Sequence, residues 1–294
     1  MASVTERTPL QKIEDPFILS AGVNLYVKRL DMNHPYISGN KWYKLKYNIP
    51  EIEKTAHKTV LTFGGAYSNH IAAVAVAGEE FGFRTIGVIR GEEQRELNGT
   101  LSFAIRNGMK LHFVSREDYR KKESKEFISS LSQQFGDFYL LPEGGSNDLA
   151  VKGCGEILND VKIPFNWVCS SCGTGATLAG LILSLKQGQQ AIGFSSLKGA
   201  NYLEEEVEKQ LSHFQINSSS NWQINNDYHF GRYAKTPKEL LDFIRQFEME
   251  NNIPLDNIYT GKMMFGIYDL VKKSFFKRGE TIIALHTGGL SAMH

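Results

Sequence analysis

Cysteine is scarce in this 294-residue chain: there are three, Cys154, Cys169 and Cys172. Three are too few for a disulfide framework, and a chain with so few points to a reducing, cytoplasmic setting. No apolar run approaches the roughly 20 residues that cross a bilayer. An excess of one charge is also missing. Lys and Arg number 33 against 32 Asp and Glu, a net charge of +1, so neither nucleic acid nor an anionic membrane is an expected partner. Repeats, low-complexity tracts and Pro/Gly-rich linkers are absent. The start, Met1-Ala2-Ser3-Val4-Thr5-Glu6-Arg7, lacks the basic cap and apolar core of a secretion signal. With 41% hydrophobic and 22% charged residues, a folded globular protein of one or two domains is expected.

Short apolar strands alternate with helices across Gly/Ser/Asn turns. Strands are expected at 60–63, 85–89, 110–114, 139–141, 167–169, 192–195 and 282–285. Helices are expected at about 69–81, 97–106 and 176–186, near 237–250, and at 261–276. Such alternation predicts parallel sheets flanked by helices. In these folds ligands sit where strand turns into helix at the carboxyl ends of the strands.

Four clusters occupy such turns. Gly173-Thr174-Gly175-Ala176-Thr177 opens a helix. Its free amides, the positive end of the helix dipole and two threonine hydroxyls suit one phosphate. A packing turn of small residues explains the segment equally well. The spacing is neither a P-loop nor a dinucleotide fingerprint. Ser38-Gly39-Asn40-Lys41 offers a cap, Ser38 or Asn40, that puts Lys41 in a first helical turn. Burial there would push its amine toward the neutral, nucleophilic form, although a lysine is more often solvated. Gly64-Gly65-Ala66-Tyr67-Ser68-Asn69-His70 brings amides for a carboxylate and a serine for proton transfer, or else ordinary helix capping. Tyr259-Thr260-Gly261-Lys262 and His286-Thr287-Gly288-Gly289 are weak alone. Cys169 and Cys172 have redox-motif spacing, but they overlap the anion turn and lack a second pair, so no metal is expected.

In this order these segments, with Leu25-Tyr26-Val27-Lys28-Arg29, Asn98-Gly99-x-Leu101 and Pro142-Glu143-Gly144-Gly145-Ser146, resemble the D-cysteine desulfhydrase and 1-aminocyclopropane-1-carboxylate (ACC) deaminase family. That family belongs to the tryptophan-synthase-β-like pyridoxal-phosphate enzymes. The resemblance implies pyridoxal 5'-phosphate on Lys41 as a Schiff base, with Asn69 at its phenolic oxygen. Gly173, Thr174, Gly175, Ala176 and Thr177 become the phosphate cup. Ser68, with the amides of Asn69 and His70, becomes the substrate-carboxylate site. Tyr259, and less directly Tyr233, stand near the substrate, and Thr287 and Thr260 face the pyridine nitrogen. Departures fall mainly on the substrate half: Leu30 where an acid is expected, Ser38, Trp42-Tyr43 and Ala72.

The fold implied is fold type II: two three-layer α/β/α domains with mostly parallel sheets. The smaller would be 52–140 and would close over a larger one formed by 1–51 and 141–294. The activity implied is β-elimination on a small amino acid, D-cysteine first, giving keto acid, ammonia and sulfide. The alternatives are ACC deaminase, another amino-acid lyase or racemase, and a pyridoxal-phosphate-binding protein without turnover. A neutral Thr260, where ring-opening relatives carry glutamate, argues for a weak electron sink and poor ACC turnover. A homodimer is expected from the resemblance.

Overall fold

In the computed structural model the described residues are 4–5, 7–93, 95–197, 199, 201–215, 221–231 and 235–289. Among the described residues ten strands run in chain order: β1 Leu10–Lys12, β2 Asn24–Lys28, β3 Thr59–Gly64, β4 Arg84–Arg90, β5 Lys110–Val114, β6 Tyr139–Leu141, β7 Trp167–Cys172, β8 Gln190–Ser195, β9 Trp222–Asn225 and β10 Thr281–Leu285. They form two sheets, β1-β2-β10-β7-β8-β9 and β5-β4-β3-β6. All pairings are parallel except β1 with β2. No helix of the described residues is long and apolar enough to cross a membrane.

Helices cover both faces of each sheet. Alternate residues of one strand therefore enter different cores, as the two-residue period of a strand requires. Ile282 and Ala284 pack with the helices Lys238–Asn251 and Thr260–Lys272. Ile283 and Leu285 pack on the opposite face with Asp148–Cys154, Ala176–Ser184 and Tyr202–Ser212. In the smaller sheet Val60 faces the helices Asn69–Phe81 and Gly99–Arg106, while Leu61 and Phe63 face Lys125–Phe135. Strands covered on both faces read as continuous apolar runs, which is why β3, β7 and β10 stand out in the sequence.

Some boundaries moved for local reasons. The helix expected from residue 97 begins at Gly99, because the Asn98 side chain accepts from Leu101 N and caps it. The helix expected to reach 186 stops at Ser184, where Leu185 turns extended. That expected to 276 stops at Lys272, and Ser274 has positive φ. The helix carrying Lys41 spans Asn40–Leu45. It contributes Tyr43 to one core of the six-stranded sheet and Leu45, with Ile37, Ile49 and Ile52, to the core of the four-stranded one.

Candidate active site

A cavity of about 1260 Å³ opens at the carboxyl ends of both sheets. The turn after β7 brings Gly173, Thr174, Gly175 and Thr177 to its wall, the turn after β3 brings Ser68, Asn69 and His70, and the segment after β10 brings Thr287. Lys41 and Tyr259 also line it. Ala176 is buried and opens its helix without lining the cavity. Tyr233 lies outside the described residues.

The helix bearing Lys41 is capped neither by Ser38 nor by Asn40. Its cap is Gly39, at φ 71° and ψ −142°, and no side chain caps it. A Cβ on Gly39 would lie 1.9 Å from the Thr287 carbonyl oxygen, so only glycine lets the Lys41 turn sit against the Thr287 strand end. Asn40 is freed for other contacts. Its amide donates to Thr177 Oγ1 at 2.8 Å and its carbonyl accepts from Lys41 Nζ at 2.6 Å. One asparagine thus ties the lysine to the phosphate turn.

Lys41 is half-buried. Burial is the main cause that lowers its pKa to about 7; the neighbouring Lys44 ammonium lowers it further, and Cys154 and Asp256 oppose the shift. Near neutrality a large fraction of the amine is therefore free of its proton, as a nucleophile requires. Lys44 lies three residues on, on the same helix face. Its Nζ donates to the Gly144 carbonyl at 2.9 Å and to Thr174 Oγ1 at 3.3 Å, and burial lowers its pKa as well. The sequence signal for this second lysine is the Lys-x-x-Lys spacing at the start of a helix.

The turn after β7 has the build of an anion cradle. Gly175, at φ 82°, caps the helix Ala176–Ser184 without a side-chain bond. Among the described residues the amides of Ala176, Thr177 and Leu178 have no protein acceptor. With two hydroxyls and the Lys44 ammonium beside them, these donors suit a phosphate dianion. Tyr259 reaches the same turn, since a Cβ on Gly173 would lie 3.7 Å from its Cε1.

Across the cavity, Ser68 caps the helix Asn69–Phe81 by accepting from Ile71 N at 3.3 Å. Among the described residues the amides of Asn69 and His70 have no acceptor and are free for a carboxylate. His70 is buried, and burial, with Lys44 and Lys41 nearby, holds its pKa well below the usual value. Its Nε2 meets Thr62 Oγ1 at 2.8 Å and its buried Nδ1 has no partner among the described residues. The Asn69 amide comes within 2.8 Å of where a Cβ on Gly289 would be.

Thr260 departs from expectation. It is fully buried and is not part of the cavity wall, whereas Thr287 is. Its hydroxyl donates to Asp256 Oδ2 at 2.5 Å and accepts from Asp256 N at 2.9 Å. A carboxylate therefore stands beside Thr260 after all, supplied from four residues earlier. The Thr260 hydroxyl faces Asp256 and not the cavity, so of the two threonines expected at the pyridine nitrogen only Thr287 lies on the cavity wall.

The three cysteines are unpaired and buried, and burial raises each thiol, Cys154 and Cys172 to about 11. Among the described residues no cluster of His, Cys, Asp or Glu is arranged to hold a metal.

The family described as pyridoxal-phosphate dependent enzymes matches residues 2–288. A Pyrococcus furiosus protein with the provisional name 1-aminocyclopropane-1-carboxylate deaminase is 31% identical, over 97% of this chain and 90% of its own length. The Arabidopsis thaliana bifunctional D-cysteine desulfhydrase/1-aminocyclopropane-1-carboxylate deaminase, mitochondrial, is 28% identical over 98% of this chain and 77% of its own. A crystal structure of an ACC deaminase homologue superposes with a TM-score of 0.86 at 26% identity, covering 99% of this chain and 91% of that one.

Proposed function

We propose, for a chain that belongs to the pyridoxal-phosphate dependent enzyme family, that this lyase or deaminase removes sulfide from D-cysteine by β-elimination. The balance is D-cysteine plus water giving pyruvate, hydrogen sulfide and ammonia. Pyridoxal 5'-phosphate is the cofactor, and the residues present fit it. Free amides, Thr174, Thr177 and Lys44 match its phosphate, and the Lys41 amine, with its pKa near 7, matches its aldehyde. When bound, the cofactor supplies a carbonyl that captures amines and a ring that withdraws electrons from the α-carbon.

The chain's own residues do the rest. The Lys41 amine, with its pKa lowered to about 7, would be a base of suitable strength to take the α-proton of a substrate held by the cofactor. The free amides of Asn69 and His70, with the positive end of their helix, hold the substrate carboxylate. Asn40 keeps the Lys41 amine near the phosphate turn. Tyr259 and Ser68 border the space for the side chain of the substrate.

One observation favours a substrate with a good leaving group. Ser68 Oγ serves as a helix cap, and among the described residues no basic side chain stands within hydrogen-bonding distance of it, so it lacks the partner that makes a serine a nucleophile. A thiolate departs without such help. A second reading, ACC deaminase, is favoured by the Asp256 carboxylate at Thr260 and by the names of relatives. Closure of 52–140 over 1–51 and 141–294 belongs to the same proposal, with the helix Asn40–Leu45 as the joint, since it packs into both cores. So do a homodimer and a cytoplasmic site of action.

The test is keto-acid release by purified, cofactor-loaded protein from D-cysteine, L-cysteine, D-serine and ACC. We expect the largest kcat/KM for D-cysteine. ACC turned over as well or better makes the second reading the function, and no turnover of any amino acid leaves a cofactor-binding protein.

A further inference from the structure

Beside the site lies a buried carboxylate that the elimination does not use. Asp256 is 1% exposed. Its Oδ1 accepts from Ile258 N at 2.9 Å and Tyr259 N at 2.6 Å, and its Oδ2 from Thr260 N at 2.9 Å and the Thr260 hydroxyl at 2.5 Å. Among the described residues no lysine, arginine or histidine lies within ion-pair distance of it. The backbone bonds hold the turn that leads into the helix Thr260–Lys272, whose cap position is Tyr259, yet serine or asparagine accepts such bonds without burying a charge. An unpaired buried charge is costly unless something nearby repays it electrostatically.

Two placements point toward the cavity. Tyr259, which lines it, is held through its amide by Asp256 Oδ1. Gly289 stands between Asp256 and Asn69: a Cβ there would lie 3.9 Å from Asp256 Cγ and 2.8 Å from Asn69 Nδ2.

We propose that Asp256 is a positioning residue of the Lys41 site, clamping Tyr259 at the cavity wall and lending the site a fixed negative charge. This rests on Lys41 being the lysine that carries the cofactor. The charge works against burial and Lys44, and so keeps Lys41 from losing its proton too readily. The other groups that act on Lys41 are Lys44 on its own helix and Cys154 on the helix Asp148–Cys154. His70, across the cavity, titrates well below its usual range. Lys262, on the helix Thr260–Lys272, feels the same carboxylate.

The experiment follows capture of added pyridoxal 5'-phosphate by cofactor-free protein, by absorbance, as a function of pH. Borohydride and peptide mapping identify the lysine. Removing the charge in Asp256→Asn should move the midpoint of capture down by about half a pH unit or more and raise the KM of the amino acid, while Asp256→Glu should restore the midpoint. A purely structural role predicts an unmoved midpoint, and that result overturns the proposal. Should Asp256→Asn not fold, Thr260→Val removes the hydroxyl that shares the charge with little change of shape. Its midpoint should rise, and one unmoved or lowered overturns the proposal. If the wild-type protein captures no cofactor on Lys41, the functional reading falls and this falls with it; capture on Lys41 with unmoved midpoints removes only the role of Asp256.

Discussion

Gly39→Ala tests how the Lys41 turn is seated. Gly39 has φ 71° and ψ −142°, a region nearly closed to other residues, where strain costs about 1–3 kcal/mol. The added Cβ would also fall 1.9 Å from the Thr287 carbonyl oxygen and 2.5 Å from Gly288 N. These are backbone atoms with no rotamer to change, so forced displacement adds a further cost of about 1–3 kcal/mol. The sum is on the order of 4 kcal/mol, which at about 2 °C or more per kcal/mol lowers Tm by roughly 8 °C. Relief of the clash would also pull Lys41 away from the phosphate turn. Gly188→Ala is the control: Gly188 has φ +83° but no atom within 4 Å of an added Cβ. It should lose about 1–2 kcal/mol from left-handed strain alone and keep its cofactor. The assay is thermal unfolding by circular dichroism, with bound cofactor measured by absorbance after gel filtration. A Gly39→Ala protein that melts within 2 °C of wild type (roughly 1 kcal/mol) and keeps full cofactor refutes the tight contact between Gly39 and Thr287.

Three other outcomes are expected. Lys44→Met should weaken cofactor binding by about 10- to 100-fold, the worth of a charge-assisted bond to phosphate, with the fold retained; equilibrium dialysis checks this, and an unchanged Kd contradicts it. Because burial lowers the Lys41 amine to about pH 7, its neutral fraction rises through that pH, so cofactor capture by cofactor-free protein should climb between pH 6 and 8 and then level. A climb centred near pH 10 contradicts this. Ser68→Ala removes a cap worth about 1 kcal/mol and should lower kcat/KM far more than cofactor affinity; equal losses of both show Ser68 to be a cap and nothing more.

Much of the frame was legible because the strands that build the cavity are buried on both faces and end in small polar turns. The β3, β7 and β10 ends, the phosphate turn and the Ser68 cap are all local patterns. Of the four missing pieces, two depend on distant contacts and two on a tight turn that the residue types alone do not announce. Gly39 caps its helix because of a close approach by Thr287, some 250 residues away. Lys44 matters because Gly144 and Thr174 come to it. Asp256 reaches Thr260 only because the segment between them curls back on its carboxylate. Thr260, read in one dimension as a neutral wall group, is turned inward by that curl.

The most direct test of the central claim is borohydride reduction of the cofactor-loaded protein followed by peptide mapping. A covalent pyridoxyl label confined to Lys41 is the predicted result. A label on Lys44, Lys46 or Lys262, or a protein that binds no pyridoxal phosphate at all, contradicts it.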